Sequence, residues 1–118
     1  MLDVKTELEN YWYYVKVISR LNDELLHLEK MAAFPLSDEI AAKYEELIED
    51  VKTDIARYLE LIENVEMTIS GIPDERERAI LWLKYVEGMK WKEVAETLNY
   101  SHEYVQKQAA KVISRLTI

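Results

Sequence analysis

The chain contains no cysteine, and only two of its 118 residues are glycine and only two are proline. Without cysteine it can form neither a disulfide framework nor a thiolate site, and a reducing compartment is permitted. The scarcity of glycine and proline, with 49% hydrophobic residues, indicates a folded and strongly helical chain. No apolar run approaches the roughly 18 residues of a membrane span, and the start MLDVKTELEN lacks a signal-peptide pattern. We therefore predict a cytoplasmic protein with no membrane partner.

The acidic charge is unevenly distributed along the chain. Residues 1–70 carry 16 acidic and 7 basic side chains, a net charge of −9, whereas residues 71–118 carry 7 acidic and 8 basic side chains, a net charge of +1. The overall charge of −8 argues against nucleic-acid binding if it is taken alone. The asymmetry instead suggests an acidic scaffold followed by a DNA-facing end, whose phosphate contacts give only modest affinity.

Two long helices are predicted in the N-terminal part of the chain. The first covers residues 3–32, where apolar residues repeat every seven positions, and it is broken at Phe34 and Pro35 because proline disfavours helix in the residue before it. The second begins at Ser37 as N-cap and ends at Gly71. Its apolar seam consists of Ile40, Tyr44, Leu47, Val51, Ile55, Tyr58, Ile62, Val65 and Ile69. We expect the two helices to form an antiparallel hairpin.

Further apolar residues lie outside these seams, where one hairpin cannot cover all of them. They are Trp12, Tyr13, Val17, Leu26, Ile48, Leu59 and Leu61. The aromatic run from Tyr11 to Tyr14 could stack on bases, but it belongs to an acidic helix, so a core or dimer contact is favoured. We therefore expect a homodimer in which two hairpins build a four-helix bundle.

Residues 73–118 predict a second domain of three short helices. The first begins at the capping-box-like pair Asp74 and Glu77 and ends at Gly88. The other two run from about Trp91 to Leu98 and from about His102 to Arg115. We therefore predict an all-α chain with a helical hairpin over residues 1–72 and a helix-turn-helix domain over residues 73–118.

The connection between the last two helices has the residues that a helix-turn-helix requires. Asn99 tolerates the left-handed conformation that ends a helix, and Ser101 is a favourable N-cap for the next one. Tyr100 and Val105 occupy the positions of a hydrophobic staple. The residues expected to face inward are Val105, Ala109, Val112 and Leu116, following Val94, Ala95 and Leu98 of the preceding helix. The face expected to be free, and so to read DNA, carries Glu103, Lys107, Ala110 and Ser114.

The strings ERERAILWLKYVEG and WKEVAETLNYSHEYVQKQAAKVISRL resemble region 4 of the sigma-70 family, in which an ERER start and a Ser-x-x-x-Val recognition-helix start recur. The whole chain is also similar to small phage proteins of the RinA and ArpU type. Those share a Trp-x-x-Val/Ile-Ala segment, matched by Trp91, Val94 and Ala95, and a Tyr-Ser turn, matched by Tyr100 and Ser101. The resemblance implies a prophage transcription regulator in the bacterial host cytoplasm, acting on double-stranded DNA at a promoter, with RNA polymerase as a further partner.

The resemblance also implies which side chains contact DNA. The positions that match the base readers of the sigma family are His102, Glu103, Gln106 and Lys107, whose side chains can bond to base edges in the major groove. The positions that would contact phosphates are Lys90, Lys92, Lys111 and Arg115. The family often has Arg where this chain has His102, Tyr104 and Gln106, so we expect a weaker grip on DNA.

The same sequence offers little support for catalysis or metal binding. His27 and His102 lie far apart in sequence, and neither a nucleophile motif nor a glycine-rich phosphate loop is present, so we predict no enzyme, catalytic residue, metal site or cofactor. Lys107 and Lys111 could be ordinary solvated lysines, which are the default on a surface. An adaptor that binds RNA polymerase or a sigma factor is the alternative function, and a phage DNA-packaging subunit is a weaker third one.

Overall fold

The computed structural model describes residues 3–117, in which the regular secondary structure is entirely helical. The helices are α1 (Val4–Glu9), α2 (Tyr11–Ala32), α3 (Asp38–Ser70), α4 (Glu75–Leu81), α5 (Trp91–Leu98) and α6 (His102–Ile113). A π-helical turn, Trp82–Val86, continues α4. No helix in this part of the chain combines the length and the apolarity needed to cross a membrane. The prediction of an all-α protein is confirmed for the described residues.

The single helix predicted over residues 3–32 is wrong, because the helix is interrupted at Asn10. Asp3 is the N-cap of helix α1, and its carboxylate accepts a hydrogen bond from the Thr6 N–H at 3.1 Å. Asn10 is its C-cap, with φ −86° and ψ −3°. Asparagine favours caps and turns because its side chain competes for nearby backbone groups. The seven-residue apolar repeat does not indicate this break, because Asn10 occupies one of its polar positions.

The predicted limits of α3 are confirmed. The Ser37 hydroxyl oxygen accepts a hydrogen bond from the Ile40 N–H at 3.3 Å, as an N-cap does. Asp38 and Glu39 lie in the first turn, where negative charge complements the helix dipole. At the other end the helix stops one residue before Gly71.

The chain divides into two compact units. The terminal unit contains the residues up to Trp12 and those from Leu61 onward, and the middle unit is Tyr13–Glu60. Helix α3 runs through both of them. The predicted boundary between residues 72 and 73 divides the chain by function and stays a prediction.

The middle unit has a narrow core. Its buried side chains are Tyr14, Val17, Leu28 and Val51. The rings of Tyr14 in α2 and Tyr58 in α3 are 5.9 Å apart, so the two helices share an aromatic contact. Val17 was expected outside the seam, and that expectation is wrong, since only 4% of the residue is exposed. Large apolar side chains nevertheless remain exposed in this unit, namely Tyr13, Leu26, Phe34, Ile40, Leu47 and Leu59.

The core of the terminal unit is built around contacts of α6 with α4 and α5. Its most completely buried large side chains are Leu8, Val65, Ile69, Ile80, Leu81, Val94, Val105 and Val112. Helix α6 ends at Ile113, short of the predicted Arg115, and Leu116 is half-buried rather than hidden. The Ser114 hydroxyl donates to the Lys111 carbonyl at 2.6 Å, and such a side-chain bond competes with continuation of a helix.

The predicted turn between α5 and α6 is confirmed. Asn99 is left-handed, with φ 61° and ψ 44°. The Tyr100 N–H donates to the Ala95 carbonyl at 2.9 Å and closes α5. The Ser101 hydroxyl oxygen accepts from the Tyr104 N–H at 3.1 Å and caps α6. Local side-chain and backbone bonds therefore define both ends of the turn.

Two substitutions at Asn99 test the importance of the left-handed conformation. We expect Asn99→Ala to be less stable than Asn99→Gly by about 1 kcal/mol, because a Cβ disfavours this region and glycine has none. Urea unfolding followed by circular dichroism measures the difference. Equal free energies of unfolding for the two variants would show that the turn is not held in this conformation.

Candidate nucleic-acid interface

One face of α6 is held in the core and the opposite face is open. The exposed fractions of Val105, Ala109 and Val112 are 0%, 2% and 2%. The four predicted base readers, His102, Glu103, Gln106 and Lys107, are all exposed. Because α6 is locked through its apolar side, these polar side chains are presented at its N-terminal half, on the surface of the terminal unit.

Two of the predicted readers are bonded to each other. The ammonium of Lys107 lies 2.9 Å from a carboxylate oxygen of Glu103, one helical turn away, and the side chains are 69% and 75% exposed. Exposed pairs of this kind contribute roughly 0.2–1 kcal/mol, so an incoming ligand can separate them at small cost. Until then their charges largely cancel on the face that was predicted to read DNA.

Two predicted phosphate contacts lie at the start of α5. Lys90 and Lys92 are exposed on either side of Trp91. Lys90 occupies the N-cap position, but its side chain does not cap the helix; instead a carboxylate oxygen of Glu93 accepts from the Lys90 N–H at 3.1 Å. The Lys90 ammonium therefore remains at the positive end of the helix dipole, where anions are favoured.

The other two predicted phosphate contacts differ from each other. Lys111 is exposed on α6. Arg115 lies just beyond the helix, and its guanidinium is 2.6 Å from a carboxylate oxygen of Glu77 in α4. The Arg115 and Glu77 side chains are 62% and 20% exposed. Arg115 therefore already has a structural partner that connects the end of α6 to α4, whereas Lys111 extends into solvent.

Sequence reasoning missed a cleft beside α6. The cleft has a volume of about 650 Å³, and its lining includes Lys5 and Glu9 of α1, Lys84 of the π turn, Trp91 of α5 and Gln106 of α6. The Lys84 ammonium lies 5.0 Å from the centre of the Trp91 ring, a cation–π distance. Lys5 and Lys84 therefore line the same cleft as Gln106, which is one of the predicted base readers.

The cleft also contains a perturbed tyrosine. Burial raises the pKa of Tyr85, and the negative charge of Glu9 raises this pKa further. Tyr85 is 8% exposed, and its ring meets the Trp91 ring edge-on at 6.3 Å. Glu9 lines the same cleft as Lys84 and Tyr85, so α1 lies close to the π turn.

A second group missed from the sequence lies at the start of α6. The rings of Tyr100 and Tyr104 are 4.8 Å apart, and the electrostatic effect of Tyr100, followed by that of Tyr104, raises the pKa of Arg76. Arg76 is exposed. The ERER string contains this arginine, but its spacing alone gave no reason to place it beside the turn.

The position of α1 can be tested through tyrosine titration. We expect Glu9→Gln to lower the pKa of Tyr85 toward the ordinary value, because a neutral amide no longer disfavours the phenolate, while burial still keeps the pKa raised. Carbon NMR of labelled tyrosine, assigned with Tyr85→Phe, measures the change.

The matched control is Glu66→Gln. After burial, Glu66 is the next cause of the raised pKa of Tyr11, whose hydroxyl lies 3.3 Å from a Glu66 carboxylate oxygen. This control should lower the pKa of Tyr11 and leave that of Tyr85 unchanged. An unchanged Tyr85 titration in Glu9→Gln would contradict the placement of α1.

Within residues 3–117, no group of three or more His, Asp or Glu side chains is placed to hold a metal ion.

Comparison with known proteins gives no assignment. No protein-family model matches this chain, and no curated protein or solved structure matches it either.

Proposed function

We propose that this chain is a phage-type transcription regulator that binds promoter DNA through α5, the Asn99 turn and α6, acting as a helix-turn-helix of the sigma-70 region 4 kind. One observation carries the proposal. The apolar side of α6 is buried through Val105 and Val112, while the polar residues of its N-terminal half are exposed. A recognition helix needs this division, because its inner side must be fixed while its outer side enters the major groove.

Each reader has a chemically suitable base partner. The Gln106 amide can bond adenine in a bidentate manner, and the Glu103 carboxylate can accept from the cytosine amino group. Lys107 can donate to guanine, and His102 lies in the first turn, where recognition helices contact bases. Lys90, Lys92 and Lys111 would contact phosphates and fix the register of the helix. Arg115 would do so only in addition to its bond with Glu77.

Dimerisation is the second part of the proposal. Helices α2 and α3 would form the hairpin over residues 1–72, and a second copy of the chain would cover its exposed apolar side chains. Ile40 and Leu47 are seven residues apart on one face of α3 and are 46% and 48% exposed. Both residues belong to the apolar seam predicted for α3, which is left uncovered at these two positions, so another helix of the same kind fits it. A dimer would present one α6 to each half-site of a symmetric operator.

The DNA-binding proposal is tested with a duplex selected from a random-sequence pool by the purified chain. We expect salt-sensitive binding that His102→Ala, Gln106→Ala and Lys107→Ala each weaken, because every lost base contact costs roughly 1–3 kcal/mol of discrimination. Gel shifts at several salt concentrations, with and without RNA polymerase, measure the effect. Circular dichroism checks that the variants remain folded.

Lys43→Ala is the matched control, because Lys43 is an exposed lysine of α3 in the middle unit. Its affinity should equal that of the unchanged chain. Wild-type binding by all three α6 variants would remove the assignment of the reading face. If the purified chain alone selects no duplex and binds promoter DNA only when RNA polymerase is present, the adaptor function is favoured instead.

The dimer is tested with glutamate substitutions in α3. We expect Ile40→Glu combined with Leu47→Glu to shift the protein from dimer to monomer, because buried carboxylates would be unpaired in the bundle. Ala42→Glu together with Lys43→Gln makes the same change in net charge outside the seam and should leave the dimer intact. Sedimentation velocity measures the mass. A monomeric unmodified chain would remove this part of the proposal.

A further inference from the structure

Helix α1 lies in the terminal unit although it is at the opposite end of the sequence from α6. Its apolar residues Val4 and Leu8 are 8% and 1% exposed, so the short helix is fixed by burial of one side. Lys5 is exposed. It lines the cleft beside Gln106 and also a second depression of about 420 Å³ beside Ser114 and Thr117. Lys5 therefore lies near the C-terminal half of α6.

The cleft follows one edge of the proposed reading face. Gln106, Ala110 and Ile113 line it at successive turns of α6, next to the face that carries Glu103 and Lys107. An α-helix with its side chains is roughly 10–12 Å wide and fills a major groove of roughly 12 Å, so a phosphate backbone passes along each edge of the helix. The strand on the cleft side would run past Lys5.

We propose that α1 is part of the DNA-binding surface and that the Lys5 ammonium contacts a phosphate of the strand that flanks the cleft side of α6. This inference rests on the proposed function of α6 and extends it to a segment outside the helix-turn-helix. Lys84, held over the Trp91 ring on another wall of the cleft, adds positive charge along the same edge. Phosphate contacts of this kind position the protein without reading sequence.

Two carboxylates lie close to Lys5 in the sequence and affect how strongly this part of the surface attracts a phosphate. The Asp3 carboxylate is bound by the N–H and the hydroxyl of Thr6, at 3.1 and 2.6 Å, so it serves as the cap of α1. Glu9 lies one turn beyond Lys5 and lines the same cleft. A phosphate in this place would be attracted by Lys5 and repelled by Glu9. The two residues should therefore have opposite effects on DNA affinity.

This opposition gives a matched pair of variants for the selected duplex, Lys5→Gln and Glu9→Gln. Lys5→Gln should weaken binding by about 3- to 10-fold at low salt and reduce the slope of log K against log salt by about 1. Glu9→Gln should strengthen binding. Each change replaces one charge of α1 with a neutral amide, and circular dichroism checks that both variants remain folded. Fluorescence anisotropy over a salt series measures affinity and slope.

The outcomes separate this inference from the proposed function. Wild-type affinity and slope in Lys5→Gln, with weakened binding in Lys107→Ala, would overturn the role of α1 and leave the reading face standing. Weaker binding in both α1 variants would also overturn it, because α1 would then act through the fold and not through charge. Failure of the purified chain to select any duplex would overturn both proposals. Lys43→Gln, in the middle unit, should bind as the unmodified chain does.

Discussion

The contact between α5 and α6 determines which side of α6 is free. Val94 and Val105 are both 0% exposed, and Ala95, at 4%, leaves room for a close approach of the two helices. Burying a valine side chain stabilises a fold by roughly 1.5–3 kcal/mol, so turning α6 until these residues met water would cost several times the thermal energy. This arrangement requires Asn99 to adopt a left-handed conformation. As a result, Glu103 and Lys107 lie on the exposed side of α6.

Several helix ends were predictable from the sequence because their interactions are local. The Asp74 carboxylate accepts from the Glu77 N–H at 2.9 Å, and Ser101 bonds Tyr104 in the same relation. Such bonds join residues three apart, so a short string contains both partners. The inward and outward sides of α6 were predictable for the same reason, since the helical period relates Val105 to Val112 within one segment. The end of α6 was predicted at Arg115 instead of Ile113, because the sequence does not indicate that the Ser114 hydroxyl donates to the Lys111 carbonyl.

The features that could not be predicted depend on contacts between segments that are distant in the sequence. Nothing in the sequence near Lys5 indicates that α1 lies beside α6, because the helix is held by Val4 and Leu8 in a core built mainly from the other end of the chain. The π turn has a similar origin. Its apolar residues fit an ordinary helix, and Lys84, which lies within the wider turn, is placed over the Trp91 ring. Only part of the candidate site could therefore be predicted from the sequence.

The distribution of tryptophan gives the terminal unit an optical signal of its own. All three tryptophans, Trp12, Trp82 and Trp91, belong to the terminal unit, whereas Tyr13–Glu60 contains tyrosines and Phe34 but no tryptophan. Indole emission thus reports on the terminal unit alone, and backbone ellipticity, to which the long helices of the middle unit contribute, reports on both. Melting of one unit before the other would appear as two transitions that do not coincide, with no label attached to the protein.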